Sequence, residues 1–422
     1  MNPGPHASKP VAERTPRLLL VAMLIDTLGS GLAMPFELLF GRFVVGLDLA
    51  EVGLGISIGT AAAIVVGPLA GILVDRAGPT RVMAAANLTS AIGSLLLLAI
   101  HGFVPFIVVS SLLAGAQRAF WASYAPLVAG SVPADKLEAW FGRFRGTRYA
   151  GLAAGAAVAS VALLPGRDIG LHLVIVLDAL SYLAALGMLL AATRGRASGP
   201  PRHSPESSAC VGPAAPMGYL PALRDGANVL LVGMNVAATL IIITPLLALP
   251  VFVLDQLRLP IWVPGVLATI GTVATAVPSV FSGRLTRGRP RLSLLALAAT
   301  LWAVSFILFA ISISAPAFWL LLLPAAMVAL GLGEALYAPT SDALPLALAP
   351  LGQAGRYSAI HQLAWGVSGT IAPALAVALL LAGPDALWWT LAASAGSTAL
   401  IYLGLQTRVG ARTGIVGASV ES

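Results

Sequence analysis

The stretch Gly71-Ile72-Leu73-Val74-Asp75-Arg76-Ala77-Gly78-Pro79-Thr80-Arg81 is a short polar segment between two long apolar runs. Residues 54–74 and 82–100 contain no charged side chain. At about 1.5 Å per residue, each run is long enough to cross about 30 Å of hydrocarbon as a helix. The stretch therefore predicts a tight polar turn that joins two membrane-spanning helices on one side of a bilayer.

The composition places the whole chain in a membrane. Of its 422 residues, 58% are hydrophobic and 10% are charged, whereas a soluble protein carries about 25% charged residues. The net charge of +7 and the pI near 10.1 do not indicate a nucleic-acid-binding face, because the basic residues lie in short loops between apolar runs. The single cysteine, Cys210, excludes an intramolecular disulfide and a multi-cysteine metal site.

Apolar runs separated by turn residues predict twelve membrane-spanning helices. Their approximate limits are 18–43, 52–74, 82–101, 104–130, 147–165, 170–192, 226–254, 261–283, 292–314, 317–343, 358–382 and 386–407. With both termini in the cytoplasm, 20 of the 24 Lys and Arg residues lie on the cytoplasmic side and three lie outside, as the positive-inside rule requires. We expect the first span to be retained as a signal anchor, because no small-residue cleavage site follows it.

The chain is predicted to fold as two pseudo-symmetric halves of six helices. Residues 1–17 and 408–422 are cytoplasmic tails, 18–192 and 226–407 are the halves, and 193–225, rich in Pro, Gly and Ser, is a flexible linker. Internal repetition supports this division. The segment that begins at Gly142 resembles the one at Gly355, 213 residues later, and the segment at Gly115 resembles the one at Gly331, 216 residues later. Parallel repeats of this kind are typical of secondary transporters.

The polar stretch at 71–81 resembles the loop between the second and third helices of the major facilitator superfamily. The pattern Gly-x-x-x-Asp-Arg-x-Gly-x-x-Arg is kept at Gly71, Asp75, Arg76, Gly78 and Arg81. The sequence departs from the family at Pro79 and Thr80, where further basic residues are common. The resemblance covers about residues 15–408 and implies an all-α membrane fold in which Asp75 acts in a cytoplasmic gate. An ordinary tight turn whose arginines only fix the topology is the alternative.

Apart from Arg42 and Arg148, which lie at span ends and are counted with the loops, six charged side chains fall inside the predicted spans, where a charge costs about 2.5–3.5 kcal/mol on insertion scales. They are Asp26, Glu37, Arg118, Asp178, Glu334 and Asp342. In the family that the chain resembles, helices 1, 4, 7 and 10 line the central cavity, and five of the six residues lie on predicted helices 1, 4 and 10. We expect Asp178 and Asp342 to be structural. The other four are candidates for proton coupling or substrate binding.

Asp26 and Glu37 are eleven residues apart, so three helical turns place them on one face. A carboxylate shielded from water holds its negative charge at a high cost, which suits a proton carrier. The alternative for Asp26 is a structural carboxylate paired with Arg118 or with a backbone donor, and the alternative for Glu37, nearer the outer surface, is a hydrated side chain. Arg118 stays charged and needs a partner in the membrane. Its pseudo-symmetric counterpart is Glu334, and a salt bridge between them or an anionic group of the substrate is the expected partner.

Three residues near the cytoplasmic ends of two spans are candidates for a gate. Arg145 and Arg148 are three residues apart at the start of the fifth span, and His361 occupies the matching place in the eleventh. The alternatives are arginines that only fix the topology and a hydrated histidine at the cytoplasmic mouth. The arginine typical of the family's drug-antiporter branch is absent, because Ser111 stands at its position.

These observations predict a secondary transporter of the cytoplasmic membrane, similar to drug-efflux-like bacterial members of the family. Embedded acids and aromatic residues on the cavity helices favour proton-coupled export of an amphipathic compound. Proton-coupled uptake of a metabolite and a non-transporting sensor or scaffold are the alternatives. We expect no enzyme activity, because the sequence has no phosphate-binding loop. We also expect a monomer without cofactor or metal, whose partners are the substrate, protons and the lipid bilayer but not nucleic acid.

Overall fold

The computed structural model describes residues 9–132, 137–193, 224–285, 288–349 and 354–413. Within these ranges the chain forms twelve long helices, which divide into two compact units, Met1–Arg202 and His203–Ser422. The predicted all-α membrane fold is confirmed. Residues 194–223, which make up most of the predicted linker and include Cys210, lie outside the described residues, as do the first eight and the last nine residues.

The N-terminal unit contains six helices. They are α1 (Lys9–Ala33), α2 (Leu49–Ala62 and Val66–Ala77, joined by the 3-10 turn Ala63–Val65), α3 (Pro79–Leu96), α4 (Phe103–Ala129), α5 (Leu137–Ala162) and α6 (Arg167–Thr193). Helix α1 packs against α5 and α6, α3 packs against α4 and α6, and α2 packs against α4.

The C-terminal unit contains the other six. They are α7 (Gly226–Val251), α8 (Val263–Leu285), α9 (Arg291–Ser314), α10 (Trp319–Leu348), α11 (Ala354–Ala382) and α12 (Pro384–Thr413). Helix α7 packs against α11 and α12, α9 packs against α10 and α12, and α8 packs against α10. Each pairing in one unit thus has a counterpart in the other, as expected for a repeat of six helices.

The repeat extends to single hydrogen bonds at the ends of α1 and α7. Each helix is followed by a π-helical turn: Phe40–Val44 comes after α1, a 3-10 turn and a short helical segment, and Phe252–Gln256 comes directly after α7. The backbone bonds that close these turns match at a spacing of 212 residues: Val45 N to Phe40 O, Leu47 N to Gly41 O, Leu257 N to Phe252 O and Leu259 N to Val253 O. Two residues after each turn the chain takes a positive φ, at Gly46 (φ +82°) in one unit and at Arg258 (φ +53°) in the other.

Glycine residues bring α1 close to both of its neighbours. A Cβ atom at Gly155 of α5 would overlap the carbonyl oxygen of Leu28, and a Cβ at Gly29 of α1 would overlap the Ser181 hydroxyl of α6. Apolar surface gives little driving force for association between helices in a lipid bilayer, so close backbone approach through small residues supplies much of the packing energy. Helix α1 is therefore held tightly against α5 and α6.

Nine of the described helices are long and apolar enough to cross a membrane. The other three are α3, which includes Arg81 and Asn87, α5, whose first half is charged, and α8, whose apolar part is short. Three helices extend beyond the predicted limits by six residues or more, because hydropathy marks the part of a helix in hydrocarbon and not its backbone ends. Helices α1 and α12 reach Lys9 and Thr413, within the predicted tails, and α5 begins at Leu137, ten residues before its predicted start.

Candidate functional site

The polar turn at 71–81 joins α2 to α3. Helix α2 ends at Ala77, and the N–H of Gly78 donates to Val74 O at 3.0 Å. Gly78 has φ +87° and ψ 150°, a conformation that is nearly restricted to glycine, and Pro79 then occupies the first position of α3, where its missing N–H costs nothing. Gly78 and Pro79 are thus explained by the turn itself.

The polar side chains of this motif lie at the surface of the N-terminal unit. Asp75, Arg76 and Arg81 are exposed. Gly71 lies inside α2, and a methyl group added there would meet no atom within 4 Å. The turn geometry therefore needs neither Gly71 nor the three charged residues, and their part in a cytoplasmic gate stays a prediction.

Asp26 lies in the interior of the N-terminal unit. Its side chain is buried, with 6% of the residue exposed, and its Oδ1 atom has no hydrogen-bond partner among the described residues. The carboxyl group borders a cavity of about 30 Å³, which has room for a water molecule or two but not for a drug-sized ligand. Its lining is apolar apart from a few groups and comprises Leu19, Ala22, Met23, Asp26, Met83, Asn87, Phe120, Tyr124, Leu127, Val128, Phe144, Ala185 and Leu189.

The cation that acts on Asp26 is Arg148 of α5, which lies within electrostatic range of the carboxylate. The alternative in which Asp26 is paired with Arg118 is wrong in this structure, because Asp26 forms no ion pair among the described residues. The guanidinium of Arg148 also lies 5.1 Å from the ring centroid of Trp121 and 5.8 Å from that of Tyr149. Arg148 thus connects the buried carboxylate with the aromatic surface of α4 and α5.

Aromatic rings form a continuous row on α4 and α5 beside the cavity. Successive ring centroids of Phe120, Trp121, Tyr124 and Phe144 are 5.3, 5.6 and 5.7 Å apart, each pair edge to face. Trp121 is 39% exposed, whereas Phe120 and Phe144 are buried in the core of the unit. Trp121 therefore presents an open aromatic surface within this row.

Arg118 and Arg145 lie at the surface beside this row. Arg118 is half-buried on α4, one helical turn before Trp121 and on the same side of the helix. Arg145 is exposed, and both Arg145 and Arg148 are within electrostatic range of the Tyr124 hydroxyl. The structure thus gathers three arginines and an open indole ring on adjacent turns of α4 and α5.

Glu37 does not share an unbroken helical face with Asp26. Helix α1 ends at Ala33, and the 3-10 turn Met34–Phe36, which contains Pro35, precedes the short helical segment that begins at Glu37. A 3-10 turn advances about 120° per residue instead of about 100°, so three such residues rotate the next segment by about 60°. This rotation corrects the expectation that the two carboxylates share one helical face, and the Glu37 side chain is exposed.

In the C-terminal unit, Glu334 is half-buried on α10. The hydroxyl of Thr275 on α8 donates to Glu334 Oε2 at 3.3 Å. This contact lies within a close approach of the two helices, because a Cβ at Gly331 would lie 2.5 Å from Gly271 O. Asp342, expected to be structural, is exposed.

His361 is buried, with 5% of the residue exposed, and is not the hydrated histidine of a cytoplasmic mouth. Its Nε2 lies 3.0 Å from Ser341 Oγ, and its carbonyl oxygen accepts a 2.9 Å hydrogen bond from Asn235 Nδ2. Asn235 Oδ1 accepts from both Tyr337 and Ser341. These groups form a closed network that joins α7, α10 and α11.

Two polar residues of the N-terminal interior were not predicted as functional. Asn87 of α3 lines the cavity with Asp26, and Ser94 of the same helix donates to Asp178 Oδ2 at 2.7 Å. The only signal in the sequence is an amide and hydroxyls within an otherwise apolar span. Such residues also pack against neighbouring helices, so sequence alone does not select them.

Comparison with known proteins agrees with this architecture. The family model described as Major Facilitator Superfamily matches residues 19–373. Among solved structures, a variant of the nucleoside transporter NupG has a TM-score of 0.76 at 12% identity, covering 93% of this chain and 99% of that chain. The peptide transporter POT in complex with sulfate has a TM-score of 0.74 at 17% identity, covering 96% of both chains. Tetrameric PepTSo2 has a TM-score of 0.72 at 16% identity, covering 95% of this chain and 100% of that chain. A search of curated proteins gave no significant match.

The family match includes the 71–81 turn, the cavity around Asp26 and the helices of both units up to α11. The solved structures, at these identities, are similar in fold alone. Because the family model covers most of the chain, and the described residues form twelve helices in two equivalent units, the chain belongs to the Major Facilitator Superfamily and is a multi-pass membrane transporter, not an enzyme.

Proposed function

We propose that the chain is a proton-coupled secondary transporter that exports an amphipathic small molecule across the cytoplasmic membrane. The observation that carries the proposal is the buried carboxyl group of Asp26, which borders a cavity of water size and leaves one oxygen without a hydrogen bond among the described residues. An unsatisfied buried carboxylate is costly, and binding a proton removes that cost. Asp26 is therefore suited to take up and release a proton during transport.

Arg148 is the group that transmits the protonation state of Asp26 to the rest of the unit. When Asp26 is ionised, it attracts the guanidinium of Arg148. When Asp26 is protonated, that attraction is lost, and Arg148 is free to move relative to Trp121. A gradient is coupled to a conformational change only by a group that binds differently in the two access states, and this pair is our candidate for that group. Arg148 thus takes the role that the sequence assigned to Arg118.

The substrate class follows from the surface of α4 and α5. Trp121 is exposed among Arg118, Arg145 and Arg148. An indole ring offers a large apolar face, and the arginines offer charge-assisted hydrogen bonds. This combination supports a substrate with an aromatic or apolar body and a polar group, which is an amphipathic compound.

The gate is proposed to form at the cytoplasmic ends of the helices. Asp75, Arg76 and Arg81 of the α2–α3 turn are exposed there and available for charge pairing, and Gly71 leaves the face of α2 open. In the C-terminal unit, Glu334 is proposed as the counterpart of Asp26. Its Oε2 accepts a hydrogen bond from Thr275, and we propose that Glu334 binds a proton when that hydrogen bond is released.

Uptake of a polar metabolite is the second candidate. The polar side chains of α7 would favour it if they were open to a ligand. Asn235 and Thr239 are instead buried. Asn235 donates to His361 O, and Thr239 bonds to Ser368 of α11, whose hydroxyl also donates to Val236 O of α7. These bonds support helix packing and not substrate binding. The neighbours that bear the names of peptide and nucleoside transporters are 12–17% identical, so they supply no substrate for this chain.

The test is transport in everted membrane vesicles with an imposed pH gradient and a panel of cationic dyes, antibiotics and sugars. We expect vesicles that are acidic inside to concentrate at least one amphipathic compound. The variant Asp26→Asn keeps the shape and removes the titration. We expect it to lower gradient-driven accumulation to about a tenth or less, because a carboxamide at this position cannot bind and release the coupling proton.

The matched control is Asp168→Asn, which removes an exposed carboxylate on α6. It should transport at the wild-type rate. Exchange of labelled compound without a gradient should survive in Asp26→Asn, because exchange needs no net proton movement. Full gradient-driven accumulation by Asp26→Asn would show that Asp26 does not carry the proton. Accumulation only in right-side-out vesicles would favour uptake.

A further inference from the structure

A second buried carboxyl group, Asp178 of α6, lies close to Asp26. Asp178 is 4% exposed, and its Oδ2 accepts the hydrogen bond from Ser94. Its Oδ1, like Oδ1 of Asp26, is buried without a hydrogen-bond partner among the described residues. Most buried polar groups in proteins have hydrogen-bond partners, so an open carboxylate oxygen in the interior needs an explanation. Two buried acids, each with one open oxygen, therefore point to a bound ligand that supplies a hydrogen bond.

The two acids meet across the tight contact of α1 with α6. Gly29 is three residues after Asp26, and a Cβ at Gly29 would lie 3.0 Å from Asp178 Oδ1. Residues three apart on a helix lie on adjacent turns of the same face, about 5–6 Å between their Cβ atoms. The Asp178 carboxyl is thus one helical turn from Asp26 on the α1 surface, and the negative charges of the two groups repel each other.

The charges around the pair do not balance when both acids are ionised. From α5, Arg148 contributes one positive charge near Asp26. From α6, Tyr182 interacts electrostatically with both acids and with Glu37 of the segment after α1, and its side chain bonds to Ser30. From α4, Tyr124 lines the cavity beside Asp26. Asn87 and Ser94, the α3 residues named at this site, carry no charge.

Tyrosine hydroxyls are neutral near pH 7, and Glu37 is exposed. When both acids are ionised, the charges of Asp26, Asp178 and Arg148 sum to minus one. One proton makes the buried group neutral, and the small cavity beside Asp26 gives that proton a place to enter through water.

We propose that Asp26 and Asp178 form one proton-binding pair inside the N-terminal unit, in which two interacting buried carboxyl groups, one helical turn apart on the α1 surface, bind one proton between them at a time, on either acid. Asp178 is then a second proton-binding residue and not a structural one. The inference rests on the proposed function in taking proton transfer as part of the transport cycle. It adds that the acceptor is a pair with joint titration, so that neither acid titrates independently of the other.

Infrared difference spectroscopy of the purified protein tests the pair without any substrate. A pH change should produce a carboxylic-acid carbonyl band that shifts in deuterium oxide, as a buried protonated carboxyl does. We expect Asp178→Asn to move the titration midpoint of the remaining band to lower pH by about one unit, because a neighbouring negative charge is removed. Asp26→Asn should move the band of Asp178 in the same direction. The exposed control Asp168→Asn should leave the spectrum unchanged.

The variant Ser94→Ala provides a test that keeps both acids. It removes the donor to Asp178 Oδ2, so it should change the frequency of the band without deleting it. If folded Asp178→Asn keeps the band position and the titration midpoint of the wild type, Asp178 is structural and the pair is overturned. A band that responds to sodium chloride but not to choline chloride would identify a sodium site and would also overturn it.

Transport measurements separate this inference from the proposed function. If gradient-driven transport is lost in Asp26→Asn but unchanged in Asp178→Asn, with no shift of the infrared midpoint, the pair is wrong and proton coupling stands. If the infrared midpoints shift but no variant alters gradient-driven transport, the pair exists and proton coupling through it is wrong.

Discussion

Arg258 holds a backbone conformation that L-residues rarely adopt. Its φ of +53° is the only positive value outside glycine among the described residues. The equivalent residue of the N-terminal unit, 212 positions earlier, is Gly46, where an added Cβ would meet no atom within 4 Å. The repeat therefore keeps one turn geometry in both units, and in the C-terminal unit a side chain is forced into it. The left-handed conformation costs an L-residue roughly 1–2 kcal/mol.

The variant Arg258→Gly should raise the thermal unfolding temperature. Relief of the left-handed conformation, about 1–2 kcal/mol, exceeds the entropy that an added glycine costs, about 0.5–1 kcal/mol. For a unit of this size the net gain corresponds to a shift of about 1–4 °C. The measurement is tryptophan fluorescence during heating in detergent. Gly46→Ala is the matched opposite change and should lower the temperature. An unchanged or lower value for Arg258→Gly would show that the turn at Arg258 is not strained.

At the scale of the helix, the position of α1 depends on glycines of its neighbours. Gly155 of α5 faces the backbone of α1 at Leu28, and the obstacle to a larger residue is a carbonyl oxygen, which cannot move as a side chain does. Gly187 of α6 is also inside a long helix, but a Cβ atom added there would meet no atom within 4 Å. Alanine substitutions at Gly155 and Gly187 therefore distinguish the effect of helix packing on stability from the effect of helix propensity.

Gly155→Ala should lower stability, and Gly187→Ala should not. The added methyl at 155 forces α1 and α5 apart and costs about 1–3 kcal/mol, the range of overpacked cores. The methyl at 187 improves helix propensity by up to about 1 kcal/mol. Unfolding temperatures in detergent and the yield of folded protein measure both effects. Equal temperatures for the two variants would contradict the tight contact between α1 and α5.

Helices could be predicted from the sequence more readily than contacts. Spans such as 226–254 and 292–314 agree closely with α7 and α9, because an apolar run of this length has one stable form in a bilayer. The break at Met34–Phe36 and its rotation of Glu37 could not be predicted, because Pro35 permits several local arrangements. The choice of Arg148 over Arg118 beside Asp26 depends on how α1 and α5 dock, which no local pattern encodes.

At the scale of the molecule, the distribution of basic residues predicts cytoplasmic termini and a cytoplasmic linker. Cys210 is the single cysteine of the chain and lies in that linker, so it reports the topology without any engineering. A membrane-impermeant maleimide should label Cys210 only after cells are opened. Ser57→Cys in the buried part of α2 is a control that should stay unlabelled in the folded protein. Labelling of Cys210 in intact cells would show that the linker faces the outside and that the predicted orientation is wrong.

The contact of α1 with α5 and α6 also bears on how the chain is made. Helix α1 leaves the ribosome before α5 and α6, and Gly151, where α5 meets it, follows 125 residues after Asp26. At about 5–20 residues per second, the first helix waits roughly 6–25 s before its partner surface exists. During that time a helix with a buried acid has no neighbour to shield it, at a cost of about 2.5–3.5 kcal/mol. We therefore expect α1 to need a protected site until α5 and α6 emerge, so that its packing against them follows the pairing of α4 with α2 and α3.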